Sequence, residues 1–369
     1  MLRLKIVHII GSLTRGGAER LVVDLCNELS LSGGNEIIIV SLNANAEQAT
    51  FVADINPRVR YVSFNKQAGF SLRVLLNLNR WLRRERPDVV HSHLNAFEYL
   101  YPYLLTGRRA GFLHTVHNVA HEECPSRAVK ALRSVFYRIG RVKPVTISQN
   151  GRMSFRSYYG LTGDQLIENG CKSVAASNAG SLLREKYQSS SNTRLLLHVG
   201  RLAPEKNQEM LIRVVKRFNR EERIKCRLLI IGEVHDKALA GRLTALAGND
   251  EAIEFLGGRA DVADFLSVAD IFCLPSLYEG MPISLLEAMS AGCIPVCSPA
   301  GGMSEMIDHG FNGFLSSEIT EEAYYQALRC AVYTRETAAL KERIRSTFSS
   351  RYHITITARK HELLYKQLI

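Results

Sequence analysis

The stretch DIFCLPSLYEGMPISLLEAMSAGCIPVCSPAGGMSE, residues 270–305, decides how the rest of the chain is read. Ile271, Phe272, Cys273 and Leu274 form an uninterrupted apolar run, the pattern of a strand buried on both faces, and Pro275 and Ser276 break it. A loop holding Glu279 and Gly280 follows. Pro282 stands where the first turn of a helix tolerates a missing N–H. Helical periodicity then runs over 283–291, and Gly292 is placed as its stop. Residues 293–297 read as the next strand, and Ala300, Gly301 and Gly302 as a second turn before another helix. Strand, loop and helix thus occur twice, with carboxylates and glycine turns at the strand ends. Open parallel sheets bind ligands at that edge.

Glu279 lies just outside the helix and Glu287 about a turn and a half inside it. Free N–H groups and the positive end of the helix dipole lie between them. A helix N-terminus attracts phosphate, and a nearby carboxylate can accept a pair of vicinal hydroxyls, so the combination suits a sugar carried on a diphosphate. Two glutamates eight positions apart are also an everyday spacing. On the bland reading Glu279 is solvated and Glu287 caps a neighbour.

The whole phrase is harder to reach by chance. Glu279-Gly280-Met281-Pro282, Leu286-Glu287-Ala288-Met289, Gly292, Pro295-Val296 and Gly301-Gly302-Met303-Ser304-Glu305 together resemble the signature of retaining, GT-B-fold glycosyltransferases of family 4. The resemblance implies that Glu287 accepts hydrogen bonds from the donor ribose and that Glu279 meets hydroxyls of the transferred sugar. Gly280, Met281, Pro282, Ile283 and Ser284 would complete the donor contacts between them.

The chain has 369 residues, enough for two ordinary domains, and 46% hydrophobic and 22% charged residues are those of a globular protein. Residues 4–10 carry Lys5 and His8 and run into a glycine loop, which suits a first strand better than a signal peptide. No apolar run approaches the ~18 residues of a membrane span, so a cytoplasmic location is expected. Eight scattered cysteines without a C-x-x-C pair read as buried free thiols. The net charge of +11 is lopsided. Residues 1–165 hold 22 Lys and Arg against 12 Asp and Glu, a net of +10, and 166–369 hold 25 against 24, a net of +1. Such an excess points to a binding surface in the first half.

After the first strand, Gly16-Gly17-Ala18-Glu19-Arg20 opens a helix that Gly33 and Gly34 stop. A glycine loop there allows close backbone approach to a ligand, although it lacks the G-x-G-x-x-G spacing that dinucleotides require. It resembles the family's GGAE loop, which borders the donor phosphates and the acceptor. That places Gly16 and Gly17 with the donor, and Glu19 and Arg20 with the acceptor. Strands are expected at 36–42 and 59–64, and a helix over 71–86 ends before Pro87. Residues 88–93 and 112–118 are strands running out into histidines. His91 and His93 alternate like a metal pair, but no third ligand has matching spacing. Thr115-Val116-His117-Asn118 resembles the family's position beside the donor sugar, which singles out His117, with His93 and Asn118 near the acceptor.

A strand at 145–148 and the family-like Ile167-Glu168-Asn169-Gly170 bring the first domain to its border near 170, followed by a polar linker to about 193. The second domain restarts with a strand at 195–199 and Gly200-Arg201-Leu202-Ala203-Pro204-Glu205-Lys206. Ordinary surface salt bridges would explain either cation alone. The pattern resembles the family's GRL-x-x-x-K segment, in which Arg201 and Lys206 would clamp the diphosphate and stabilise its leaving charge. Gly232-Glu233-Val234 departs from the family's usual G-x-G at the next turn.

The expected architecture is therefore α/β, GT-B: two doubly wound Rossmann-like domains facing each other across a cleft. Residues 1–170 would receive the acceptor and 171–353 the donor, with a last helix from about 354 crossing back to the first domain. The resemblance implies retaining transfer from a nucleotide-sugar, UDP by default, to a glycan. No D-x-D motif occurs, so neither metal nor cofactor is expected, and Arg201, Lys206, Glu279 and His117 would carry the catalysis. Two helices, 71–86 (Arg73, Arg80, Arg83, Arg84, Arg86, Trp81) and 126–142 (Arg127, Lys130, Arg138, Arg141 opposite Val129, Leu132, Phe136, Ile139), suit an anionic inner membrane and a lipid-linked acceptor. They equally suit plain amphipathic packing. The rival readings are an epimerase or phosphorylase of the same architecture and a non-catalytic nucleotide or glycan binder. Without interleaved aromatic platforms or a known motif, nucleic acid is excluded as a partner.

Overall fold

The computed structural model describes residues 3–31, 34–44, 50–107, 110–177, 179–187 and 192–369, without the side chain at 179. Gly33 and the 188–191 segment of the expected linker lie outside the described residues. The chain forms two compact units, 1–171 with 353–369, and 172–352.

The first unit is built on seven parallel strands: β1 (Lys5–Ile10), β2 (Glu36–Asn43), β3 (Arg60–Lys66), β4 (Val89–His93), β5 (Gly111–Val116), β6 (Lys143–Thr146) and β7 (Gln165–Leu166). Their order is β3-β2-β1-β4-β5-β6-β7. The chain winds outward from β1 in one direction and from β4 in the other, so the loops after these two neighbours part at the carboxyl edge. Crevices of that kind are where doubly wound sheets take ligands. Val7, Ile9, Ile38, Val40 and Val90 are fully buried because helices cover both faces, which is why these strands read as continuous apolar runs. The last helix, Ile354–Gln367, belongs to this unit and packs on the helix Gly17–Leu31, burying Ile354, His361 and Tyr365. The Ile354 N–H donates to the Cys171 carbonyl at 3.0 Å, joining the two ends of the unit.

The second unit repeats the plan with β8 (Thr193–Val199), β9 (Lys225–Ile231), β10 (Ile253–Gly257), β11 (Ile271–Leu274), β12 (Ile294–Cys297) and β13 (Phe314–Leu315). The order is β10-β9-β8-β11-β12-β13, all parallel, with the reversal between β8 and β11. Residues 270–305 therefore occupy the switch point itself.

The basic helices need correcting. Helix Leu72–Glu85 has its Ser71 cap, and Trp81 packs edge-on to Phe64 rather than facing outward. In helix Arg127–Arg138 the expected apolar face is split. Phe136 and Tyr137 are buried, whereas Leu132 is 43%, Val135 52% and the following Ile139 66% exposed. Arg133 goes inside instead, 2.7 Å from Glu98 and 3.7 Å from Glu123, because two carboxylates and the Phe97 ring compensate its charge there. Arg141 also leaves the basic face and donates to the Leu104, Gly107 and Ala110 carbonyls. Of the eight free cysteines seven are buried, but Cys330 is exposed.

Candidate active site

At the β8–β11 switch point, local sequence places an ion pair. The 3₁₀ turn Pro204–Lys206 follows β8, and Asn207 closes it in the left-handed region at φ 52°. The turn is fastened to the loop after β11 by two bonds: Leu277 N–H to the Glu205 carbonyl at 2.8 Å, and Asn207 Nδ2 to the Pro275 carbonyl at 3.3 Å. Lys206 Nζ then lies 2.5 Å from Glu279 Oε1, which also accepts from Ser276 Oγ at 2.7 Å. The two side chains are 16% and 11% exposed, so the pair works in a partly desolvated setting that strengthens its field.

Gly301 supports Glu279 from behind. It has φ +54°, and a Cβ there would lie 1.8 Å from the Glu279 carbonyl, so no other residue fits. Gly302 N–H donates to the Gly280 carbonyl at 3.0 Å. Pro282 precedes the helix Ile283–Ala291 as its extended N-cap rather than occupying its first turn, and no side chain caps that turn among the described residues. Met281, Pro282 and Ile283 are buried, while Ser284 and Glu287 are half-buried on the following helix.

The structure does not draw Arg201 into this cluster. Its side chain is 56% exposed and, among the described residues, its ion pair is with the i+4 Glu205 at 3.7 Å. Its carbonyl is held by Gln208 Nε2 at 2.7 Å, and Gln208 in turn contacts His198, whose other ring nitrogen faces the Cys273 carbonyl. Gly200 donates its N–H to Ile231, and a Cβ on Gly232 would fall 1.9 Å from the Gly200 carbonyl. The turns after β8 and β9 therefore touch backbone to backbone. Val234 is 50% exposed beside them, bridged to Leu202.

In the first unit, Gly16 and Gly17 lead from β1 into the helix, and Arg20 N–H donates to the Gly16 carbonyl. Arg20 itself is tied to Asp24 at 3.0 Å and Asp54 at 2.8 Å, which locks the helix to the turn Val52–Asp54. Glu19 stays half-buried in the first helical turn. His117 follows β5. Its backbone N–H donates to Glu123 Oε2 at 2.6 Å, and Asn118 Oδ1 accepts from Val119 N–H. Burial tends to raise the Glu123 carboxyl, but hydrogen bonding from His114 and the charges of His114, His117 and Arg133 hold it below its ordinary value.

His93 does not reach the acceptor edge where the resemblance placed it. It is 1% exposed, with one ring nitrogen 3.1 Å from His8 and the other 3.0 Å from His117, so it acts behind His117 and not on a ligand. Spacing along the chain also concealed a third imidazole beside His91 and His93. His8 arrives from the adjacent β1, and the ligating nitrogens of the three rings all lie within 4.8 Å. Each of those nitrogens already has a hydrogen-bond partner, including Tyr365 from the last helix and Thr115. Burial, followed by neighbouring imidazoles, drives the pKa of His8 down to about 3 and those of His91 and His93 well below the ordinary value. His117 is lowered to about 4, first by burial. His8, Glu123, Arg133 and Tyr365 were not singled out from the sequence, and only the high count of histidines at strand ends hinted at them.

Two doubly wound α/β units, each opening a glycine-turned switch point, and the Lys206–Glu279 pair beside the helix Ile283–Ala291 define the architecture and its candidate site. Comparison with known proteins is concordant. Residues 15–170 match the family described as Glycosyltransferase Family 4, and 181–345 that described as Glycosyl transferases group 1. The chain belongs to the family 4 glycosyltransferases and has the GT-B fold. It is 27% identical over 272 residues to UDP-Gal:alpha-D-GlcNAc-diphosphoundecaprenol alpha-1,3-galactosyltransferase of Escherichia coli, covering 70% of this chain and 69% of that one. A glycosyltransferase from Rickettsia africae superposes with a TM-score of 0.82 at 20% identity, covering 99% and 98% of the two chains. Anabaena HepE in complex with UDP and glucose gives 0.80 at 21%, covering 99% and 100%.

Proposed function

We propose that the protein transfers a sugar from a nucleotide-sugar, UDP-linked, to a hydroxyl of a lipid-diphosphate-linked glycan, with retention and without a metal, in cell-surface polysaccharide assembly. The observation that carries this reading is the Lys206–Glu279 pair at the β8–β11 switch point, next to the helix that presents Glu287. Lys206 supplies positive charge where the diphosphate leaves, and Arg201, free to swing from the surface, adds to it. Glu279 holds hydroxyls of the sugar and Glu287 those of the ribose. The bond from the anomeric carbon to the phosphate oxygen breaks with its electron pair going to the diphosphate. The acceptor oxygen bonds to the same face, and its proton passes to the departing phosphate. His117, with Glu19, Arg20 and Asn118, lies on the acceptor side. The Escherichia coli relative, which by its name uses UDP-Gal and a diphosphoundecaprenol-linked sugar, supports both substrate classes.

Glu287→Gln tests the donor half. Loss of charge-assisted bonds to ribose is expected to weaken UDP binding by about 1.5–3 kcal/mol, roughly ten- to a hundredfold, with the melting temperature unchanged. Thermal-shift titration with UDP-, GDP- and ADP-sugars reads both quantities, and UDP affinity equal to wild type removes Glu287 from the site. An epimerase, a phosphorylase or a mere binder of nucleotides would fail to release UDP in an acceptor-dependent way.

Membrane docking completes the reading. No helix among the described residues is long and apolar enough to cross a bilayer. Helix Arg127–Arg138 and the next residue expose Leu132, Val135 and Ile139 between Arg127 and Arg138, and the region from Phe70 to Glu85 exposes Phe70, Leu72 and Leu76 among Arg73, Arg80, Arg83 and Arg84. Apolar side chains within a basic rim suit the boundary of an anionic leaflet, each cation adding ~1 kcal/mol before salt screening. In vesicle flotation at low salt, wild type is expected to rise with anionic but not neutral vesicles. A variant with Arg73, Arg84, Arg127 and Arg138 changed to Glu is expected to stay at the bottom. Equal flotation of both proteins, or none of wild type, defeats this element and makes a soluble acceptor the better choice.

A further inference from the structure

The buried imidazoles of the first unit form one continuous chain of hydrogen bonds. From the inside outward, Thr115 Oγ1 lies 2.7 Å from His91 Nε2, and His91 Nδ1 2.8 Å from the Tyr365 hydroxyl. That hydroxyl is 3.2 Å from His8 Nε2, His8 Nδ1 is 3.1 Å from His93 Nε2, and His93 Nδ1 is 3.0 Å from His117 Nε2. Thr115, His91, Tyr365, His8 and His93 are all at most 2% exposed, and His117 is the half-buried end at the carboxyl edge of β5.

A neutral imidazole has one N–H and one bare nitrogen, so the bonds of this chain can change sense only at the Tyr365 hydroxyl, and there both imidazoles donating to it would leave the buried Tyr365 O–H unpaired. Two arrangements keep one sense throughout. If the bonds point inward, His91 donates to Thr115, and the Thr115 O–H is left without an acceptor among the described residues. If they point outward, Thr115 donates to His91, and every buried group is satisfied: His91 Nδ1–H to Tyr365, Tyr365 O–H to His8, His8 Nδ1–H to His93, and His93 Nδ1–H to His117 Nε2. A buried unpaired donor is penalised enough to favour the outward sense by about tenfold or more. We infer that this chain fixes His117 as the neutral Nδ1–H tautomer, so that it presents a hydrogen-bond donor, and never an acceptor, to an oxygen of the ligand at this edge. His93, His8, Tyr365, His91 and Thr115 are positioning residues. Only the step from donor to ligand oxygen rests on the proposed function.

The test is a long-range proton–nitrogen correlation spectrum of the full chain, labelled with ¹⁵N-histidine, at neutral pH without ligand. A His117→Gln variant identifies the His117 signals. Bare and protonated ring nitrogens resonate far apart, and a freely hydrated side chain favours Nε2–H. Wild type is expected to show Nδ1 protonated and Nε2 bare in His117, His93, His8 and His91. Tyr365→Phe, which detaches the Thr115 end, should move the His117 signals toward each other as the preference falls from about tenfold or more toward unity. Should that variant fail to fold, Thr115→Val serves with the same expected direction. A wild-type His117 carrying its proton on Nε2 overturns the inference, as do His117 signals unmoved in the variant or stoichiometric metal on the three inner imidazoles. Because no substrate is present, such a result leaves the glycosyl-transfer reading intact, whereas loss of transfer with the tautomer in place counts against that reading alone.

Discussion

Lys206→Ala is expected to reduce kcat by about 10²-fold, the scale seen when one preorganised donor to a developing negative charge is removed. The side chain is 16% exposed and 2.5 Å from Glu279, so the substitution also strands a carboxylate that, among the described residues, keeps its Ser276 bond alone. An uncompensated, largely buried charge destabilises by as much as about 3 kcal/mol. Stability and chemistry must therefore be separated. Adding Glu279→Gln to Lys206→Ala removes the stranded charge and is expected to restore most of the melting temperature without restoring turnover. If the double variant recovered activity together with stability, the pair would be a structural salt bridge. Arg201→Ala should lower kcat less, because Arg201 is exposed and outside the pair. Wild-type turnover should survive EDTA, and loss of activity on chelation would contradict the metal-free clamp.

The second large effect is on stability in acid. Seven of the eleven histidines are held below their ordinary pKa, chiefly by burial: His8 to about 3, His117, His198 and His361 to about 4, and His91, His93 and His114 in the same direction. His8, His117, His198 and His361 are therefore neutral in the native state at pH 5, burial disfavours the charged form of the other three, and all seven become charged in the unfolded chain below about 6.5. The unfolded state then binds more protons, so stability falls as pH drops from about 6.5 toward 4, at up to roughly 1.4 kcal/mol per pH unit for each group. Six of the seven lie in the unit of 1–171 and 353–369, and only His198 in the other. Calorimetry between pH 7.5 and 5 should therefore show a steep fall of the melting temperature, with the first unit failing before the second. A melting temperature that stays level over that range would contradict burial of the neutral rings.

Much of the second unit was legible because its chemistry is local. Lys206 follows its own strand by a single turn, Glu279 precedes and Glu287 lies within one helix, and Gly301 stands where the next turn needs a positive φ. The last helix, Ile354–Gln367, begins at the residue expected. The histidine chain was not legible, since its members come from β1, β4, β5, the loop after β5 and the last helix. Only strand pairing shows that His8 stands beside His91. Periodicity also misassigned the helix Arg127–Arg138. It put Leu132 and Ile139 on one face with Phe136, but Glu98 and Glu123 draw Arg133 inward and leave Leu132 and Ile139 exposed.

The central claim is catalytic transfer at the Lys206–Glu279 site, and one assay tests it most directly. The full chain is incubated with radiolabelled UDP-sugars and a polyprenyl-diphosphate-linked sugar, and both UDP and labelled lipid are measured, with Lys206→Ala in parallel. The account predicts that UDP and glycosylated lipid form in equal amounts only when acceptor is present, that the new linkage keeps the donor's anomeric configuration, and that Lys206→Ala slows both products about 10²-fold. UDP release that ignores the acceptor, nucleotide binding without turnover, or an inverted linkage would contradict it.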